Sequence, residues 1–159
     1  MLDVVHDELV GLAGRGEPCL QSLATEALGQ LDWLGDPVDT STFVIPDRVI
    51  EIQDILRSGR SLKHPAEHWA ESVIMAMAER LQHTDPHMLS EDYNARVEST
   101  FHHVTPFSIH KLLARMVRQG GLTAGEAAAF AQALEAADRG ADYTTDDFLA
   151  GRLGRVGRP

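Results

Sequence analysis

The sequence predicts an α/β protein, a three-layer sandwich in which a small parallel sheet is flanked by many helices. Apolar residues recur at helical spacing through most of the chain, a few short strand-like runs interrupt them, and helices rather than tight hairpins separate those runs. The 159 residues are 43% hydrophobic and 24% charged, ordinary for one globular domain and long enough to bury a core. The pattern assigns residues 1–138 to the α/β domain and 139–159 to a C-terminal extension with a flexible basic tail.

Leu2, Val5, Leu9 and Leu12 mark a first helix, stopped by the segment from Gly14 to Pro18. Leu20, Leu23, Ala24, Ala27, Leu28 and Leu31 mark a second, which ends near Trp33 with Asp36-Pro37 as a turn signal. Thr42-Phe43-Val44-Ile45 suits a strand or an extended lead-in. Pro46 then stands where a helix begins, and Val49, Ile52 and Leu56 continue that helix. Ala66 to Leu81 is the most helix-prone segment, apolar on every side from Val73 to Ala78, as a helix covered on more than one side must be. His87-Met88-Leu89-Ser90 reads as a strand running into carboxylates. Asn94 to Thr100 reads as a short helix and Phe101-His102-His103-Val104 as a second strand. Thr105-Pro106 is a suitable N-cap and first-turn pair for a helix through Ile109, Leu113 and Val117 to Gly120-Gly121. Thr123 and Glu126 fit a capping box before an Ala-rich helix, and past Gly140 the periodicity fades.

Fourteen Lys and Arg against twenty-four Asp and Glu leave a net charge of −10, which excludes gripping a nucleic-acid backbone through bulk charge. A nucleic-acid contact must then be local or mediated by a cation. The single cysteine, Cys19, excludes an intramolecular disulfide framework and any multi-cysteine zinc module. The N-terminal residues have no basic stretch followed by an apolar run, and no apolar segment approaches the ~18 residues of a membrane span. The expectation is a cytoplasmic, soluble protein with no membrane partner.

Three acids interrupt patterns that are otherwise apolar: Glu8 beside the first helical stripe, Glu71 before the all-apolar run, and Asp92 just past the Met88-Leu89 strand. Open parallel sheets place their sites at the carboxyl ends of strands, where Asp92 falls. Carboxylates with water suit Mg²⁺ or Mn²⁺, which polarise a phosphodiester and activate water. Taken singly, an acid on a helix is more often solvated or paired.

Val5-His6-Asp7-Glu8-Leu9 resembles the helix bearing the second acid of PIN-domain nucleases, and Glu71 with the apolar run through Ala78 resembles their third-acid helix. Ser90-Glu91-Asp92 is similar to the strand end with their fourth acid. The segment from Val104 to Leu113, with Gly120-Gly121-Leu122 behind it, is similar to the closing strand, helix and turn. The resemblance covers roughly residues 1–135. It implies a metal-dependent endoribonuclease with Glu8, Glu71 and Asp92 as catalytic Mg²⁺ or Mn²⁺ ligands and Glu91 as a substitute metal ligand. Ser90 would support the loop, and in such a nuclease the basic residues Lys111 and Arg115, the best local phosphate-contacting surface in the sequence, would position RNA. It also implies a toxin of a toxin–antitoxin pair, with an antitoxin-like protein partner and a homodimer. The family begins with a strand ending in Asp, and no such strand is legible before the first helix. That departure raises the alternative of a non-catalytic, PIN-derived RNA- or protein-binding module.

Val38-Asp39-Thr40-Ser41 looks by itself like the missing first motif, but Glu51 follows Asp39 by only twelve residues, too close for the usual strand, helix, helix order. His64 and His68 stand at i, i+4 without the order of a metalloprotease zinc site. His102-His103 would alternate faces of a strand. Lys111, Arg115 and Arg118, with His110, form a basic stripe, and Ser108 to Glu126 has the outline of a helix-turn-helix that the acidic total counts against.

Overall fold

A computed structural model describes residues 1–15, 17–58, 66–81, 85–136 and 144–153. The chain forms two compact units, Met1–His83 and Thr84–Pro159, and the described part is mostly helical with one small parallel sheet. No helix among the described residues is long and apolar enough to cross a membrane.

In the first unit, helices α1 (Asp3–Arg15) and α2 (Pro18–Gly29) pack against each other. Pro18 opens α2 at its first turn, where a missing N–H costs nothing. A 3-10 turn follows at Leu31–Leu34. Thr42 to Ile45 forms a turn and lead-in rather than a strand, and Ile45 caps α3 (Pro46–Arg57). Helix α4 (Trp69–Arg80) starts later than its periodicity predicts, because His68 sits in the left-handed region at φ 60° and ends the preceding turn. The core of this unit joins Val49, Ile52 and Leu56 of α3 to Val73, Met75, Ala76 and Ala78 of α4. Arg48 clamps the same pair from outside, its Nε and Nη2 donating to the two Glu79 oxygens at 2.9 and 2.7 Å and its Nη1 to Glu51 at 2.8 Å. A bidentate guanidinium–carboxylate pair fixes direction as well as distance.

The chain does not open directly in a helix. Leu2 makes a parallel bridge with Val38: the Val38 amide donates to the Met1 carbonyl at 2.9 Å and the Asp3 amide to the Val38 carbonyl at 3.0 Å. Asp3 then accepts from the Thr40 hydroxyl at 2.8 Å, the Thr40 amide at 3.1 Å and the Val4 amide at 2.7 Å.

In the second unit, β1 (His87–Leu89) and β2 (Thr105–Phe107) pair in parallel with His87 opposite Thr105 and Leu89 opposite Phe107. Helix α5 (Tyr93–Phe101) is the crossover. Phe101 to Val104, expected as a strand, is instead the C-terminal turn of α5. Ser99 accepts from both the His102 and Val104 amides at 3.0 Å, and His103 takes a left-handed φ of 60°. Thr105-Pro106, expected to start a helix, is strand. Proline restricts the residue before it to extended backbone, which suits a strand as well as a cap. Thr105 donates to the Pro86 carbonyl and the Phe107 carbonyl accepts from Ser90, so the missing N–H of Pro106 falls on the outer edge of β2.

Ser108 is the actual N-cap of α6 (Ile109–Arg118), its hydroxyl accepting from the Lys111 amide at 3.2 Å. Helix α7 (Ala124–Ala136) begins with the expected capping box between Thr123 and Glu126. A short helix that periodicity does not reveal, α8 (Thr145–Leu149), starts at a second capping box, Thr144 with Asp147. It sets the fully buried Phe148 in a core with Leu113, Ala114, Ala127, Ala128 and Ala131. Residues 154–159, which hold most of the expected basic tail, lie outside the described residues.

The Asp3 cluster makes the first unit acid-sensitive. Partial burial acts to raise the Asp3 carboxyl, but hydrogen bonds from the Thr40 hydroxyl and amide and from Val4 outweigh it and hold the group below its ordinary value. A depressed carboxyl stabilises the folded form above its unfolded pKa, and that contribution is lost as pH falls through the folded value. Thr40→Val is expected to cost about 1–2 kcal/mol in urea unfolding at about pH 7. The deficit should shrink below about pH 3; an equal deficit at both pH values would contradict this account.

Candidate functional site

The turn Ser90-Glu91-Asp92 leaves the carboxyl end of β1, and the start of α6 leaves the carboxyl end of β2 beside it. The Ser90 amide donates to the Phe107 carbonyl at 3.0 Å, which extends the strand pairing by one bond and fixes where the turn begins. Asp92 is the N-cap of α5: its Oδ1 accepts from the Ala95 amide at 2.9 Å, and its own amide donates to the Ser90 hydroxyl at 3.2 Å. Glu91 reaches the other helix, its Oε1 accepting from the Ile109 amide at 2.5 Å. Two carboxylates adjacent in sequence therefore accept hydrogen bonds at the N-termini of two helices.

Arg96 shapes the turn from beneath. Only 6% exposed, it donates from Nη1 to the Ser90 carbonyl at 3.0 Å, and its guanidinium carbon lies 5.9 Å from the centre of the Tyr93 ring. Its Nε is buried without a hydrogen-bond partner. Its hydrogen bond to the Ser90 carbonyl ties the backbone of the turn to the interior of the unit.

Glu8 and Glu71 belong to the first unit. Glu8 is exposed on α1 and lines a cleft of about 880 Å³ with Asp7, Arg15, Glu67 and Trp69. Glu71 lies in the first turn of α4, because the helix starts only at Trp69, and the lining on the α4 side of this cleft comes from Glu67, Trp69 and Ala70. Asp39 is exposed, its Oδ1 accepting from the Ser41 amide at 2.9 Å. The acid that sequence reasoning passed over is Asp3, at the end of the Leu2–Val38 bridge. Its sequence signal is weak, because Met1-Leu2-Asp3 runs directly into the helical stripe of Leu2, Val5 and Leu9.

Among the described residues, no three His, Cys, Asp or Glu side chains are gathered so that they could hold a metal ion. The donor chemistry of the second unit nevertheless fits a hard cation of the Mg²⁺ type. Such ions keep several waters and need one or two protein carboxylates together with phosphate oxygens. Asp92 and Glu91 are the residues that would supply those carboxylates.

The basic stripe is narrower than expected. Lys111, Arg115 and Arg118 fall at i, i+4 and i+7, whereas His110 shares the inward face with Leu113 and Ala114 and is fully buried, neither ring nitrogen bonded. Arg118 donates to the Leu153 carbonyl at 3.0 Å. Arg115 is exposed, its guanidinium carbon 5.6 Å from the centre of the Phe107 ring. Buried His102 sits 3.2 Å from Glu98 Oε1, and exposed His103 is in the turn, so the two do not alternate along a strand. The His64–His68 pair has one member, His64, outside the described residues.

No protein-family model, no curated protein and no solved structure matches this chain.

The cap and the charge of Asp92 are separable. Asparagine caps a helix as well as aspartate does, so Asp92→Ala should cost about 1 kcal/mol in denaturant unfolding while Asp92→Asn stays within about 0.5 kcal/mol of the parent. Equal losses for the two variants would show that the carboxylate acts through its charge rather than as a cap.

Proposed function

We propose that this chain is a PIN-like, metal-dependent endoribonuclease, with Asp92 and Glu91 as the carboxylates of its cation site. The observation that carries the reading is the carboxylate turn at the carboxyl end of a parallel strand pair. Ligands of open α/β sheets bind in that position. When bound there, Mg²⁺ or Mn²⁺ supplies a Lewis acid for the phosphodiester and lowers the pKa of a coordinated water. The chain's own part is to position the two carboxylates on helix N-termini and to offer Lys111 and Arg115 to the RNA backbone. A small inhibitory protein and a second copy of the chain are partners that the PIN resemblance adds to this proposal.

A second reading has its own support. Both carboxylates already accept a hydrogen bond from a helix N-terminus, and no third acid joins them among the described residues. That arrangement suits a non-catalytic, PIN-derived module that binds RNA or protein.

Incubation of the purified protein with Mn²⁺ and short single-stranded RNA separates the two. Cleavage that falls at least about 100-fold in Asp92→Asn, in which the cap is retained, supports the nuclease. No cleavage by the parent protein, or cleavage indifferent to Asp92→Asn and Glu91→Gln, would favour the binding module.

A further inference from the structure

The second unit holds a groove of about 330 Å³ beside the β1–β2 pair. This is at the lower end of the ~300–1,000 Å³ typical of small-ligand sites, and so suits one small group rather than a helix. The His87 and Phe107 rings stack in it with centroids 5.5 Å apart and an interplanar angle of 19°. The His87 Nδ1 is 2.8 Å from the Asp85 carbonyl, which can only accept, so Nδ1 carries the hydrogen and the ring is held in place. Arg115 stands over Phe107, Gln119 supplies an amide, and Leu112 and Met116 form an apolar wall.

We propose that this groove is a nucleotide subsite, in which an unpaired nucleobase stacks on the His87–Phe107 ring pair and its phosphate is held by Arg115. Charge complementarity decides the occupant. On a chain of net charge −10, the groove is lined by an arginine and by no Asp or Glu. An uncharged apolar partner would have no use for that cation, whereas a nucleotide joins a planar heteroaromatic ring to an anion. Aromatic side chains and guanidinium planes are the surfaces on which unpaired bases stack, and an amide that both donates and accepts suits a base edge. Leu89 also lines the groove and runs directly into Ser90, so the subsite adjoins the carboxylate turn. The inference stands apart from cleavage: it needs neither a metal nor a reaction.

The test is direct binding in EDTA, with 2-aminopurine riboside 5′-monophosphate as a fluorescent probe of stacking. The parent protein should quench the probe. AMP should displace it, while ribose 5-phosphate, lacking the base, and adenosine, lacking the phosphate, should compete at least about tenfold less well. Phe107→Leu and Arg115→Gln should each weaken binding about tenfold, and Phe107→Tyr, which restores the ring, should keep it within about threefold. No quenching by the parent protein, competition by ribose 5-phosphate equal to that of AMP, or unchanged binding in Phe107→Leu would each overturn the proposal. So would occupation by an apolar dye that AMP does not displace, which would mark the groove as a protein-docking surface.

Discussion

The hydrogen bonds from Ile109 to Glu91 and from Ala95 to Asp92 tie the second unit together. Its two strands have only three residues each, and a sheet so small has little stability of its own. What holds it is that β1 ends in a turn whose side chains start both neighbouring helices, while Arg96 fastens the backbone of that turn from the buried side. Strand pairing, the starts of α5 and α6, and the position of two carboxylates are therefore one constraint. A cation bound at the proposed site would share these oxygens with helix N-termini.

Charge is distributed to match. The surplus of acids gives a net charge of −10, yet the groove beside β1 and β2 presents Arg115 and no acid. A locally cationic groove on an acidic protein admits an anion at one place and repels it elsewhere, which favours selectivity over affinity. The first unit uses carboxylates differently. Glu79 and Glu51 are bound by Arg48, and Asp3 by Thr40, so these acids hold α3 to α4 and the N-terminal bridge to residues 38–40.

The helices were legible because burial on one face leaves a 3.6-residue signature, as in Val49, Ile52 and Leu56 or Leu113 and Val117. His110 also obeys that signature: it stands three and four residues before Leu113 and Ala114, and its polarity obscured its place on the buried face. The strands were less legible. Three residues are too few to show alternation, and Thr105-Pro106 satisfies a helix start and an extended segment equally. Asp92 could be singled out because it follows a strand directly. The partnership of Glu91 with Ile109 joins residues eighteen apart and depends on strand register, which no local pattern records. The His87–Phe107 stack arises from that same register. Asp3 was hidden for another reason, since the partner of its side chain, Thr40, lies thirty-seven residues on, past α1 and α2.

Paramagnetic broadening by Mn²⁺ tests the central claim most directly, because it locates a bound cation without requiring turnover. Titrating substoichiometric Mn²⁺ into the labelled protein should broaden the backbone amides of Ser90, Glu91, Asp92, Ile109 and His110 first, and Mg²⁺ should reverse the effect. Broadening centred on the Glu8–Glu67 cleft instead, or none at those five amides, would contradict a cation site at the carboxyl end of the strand pair.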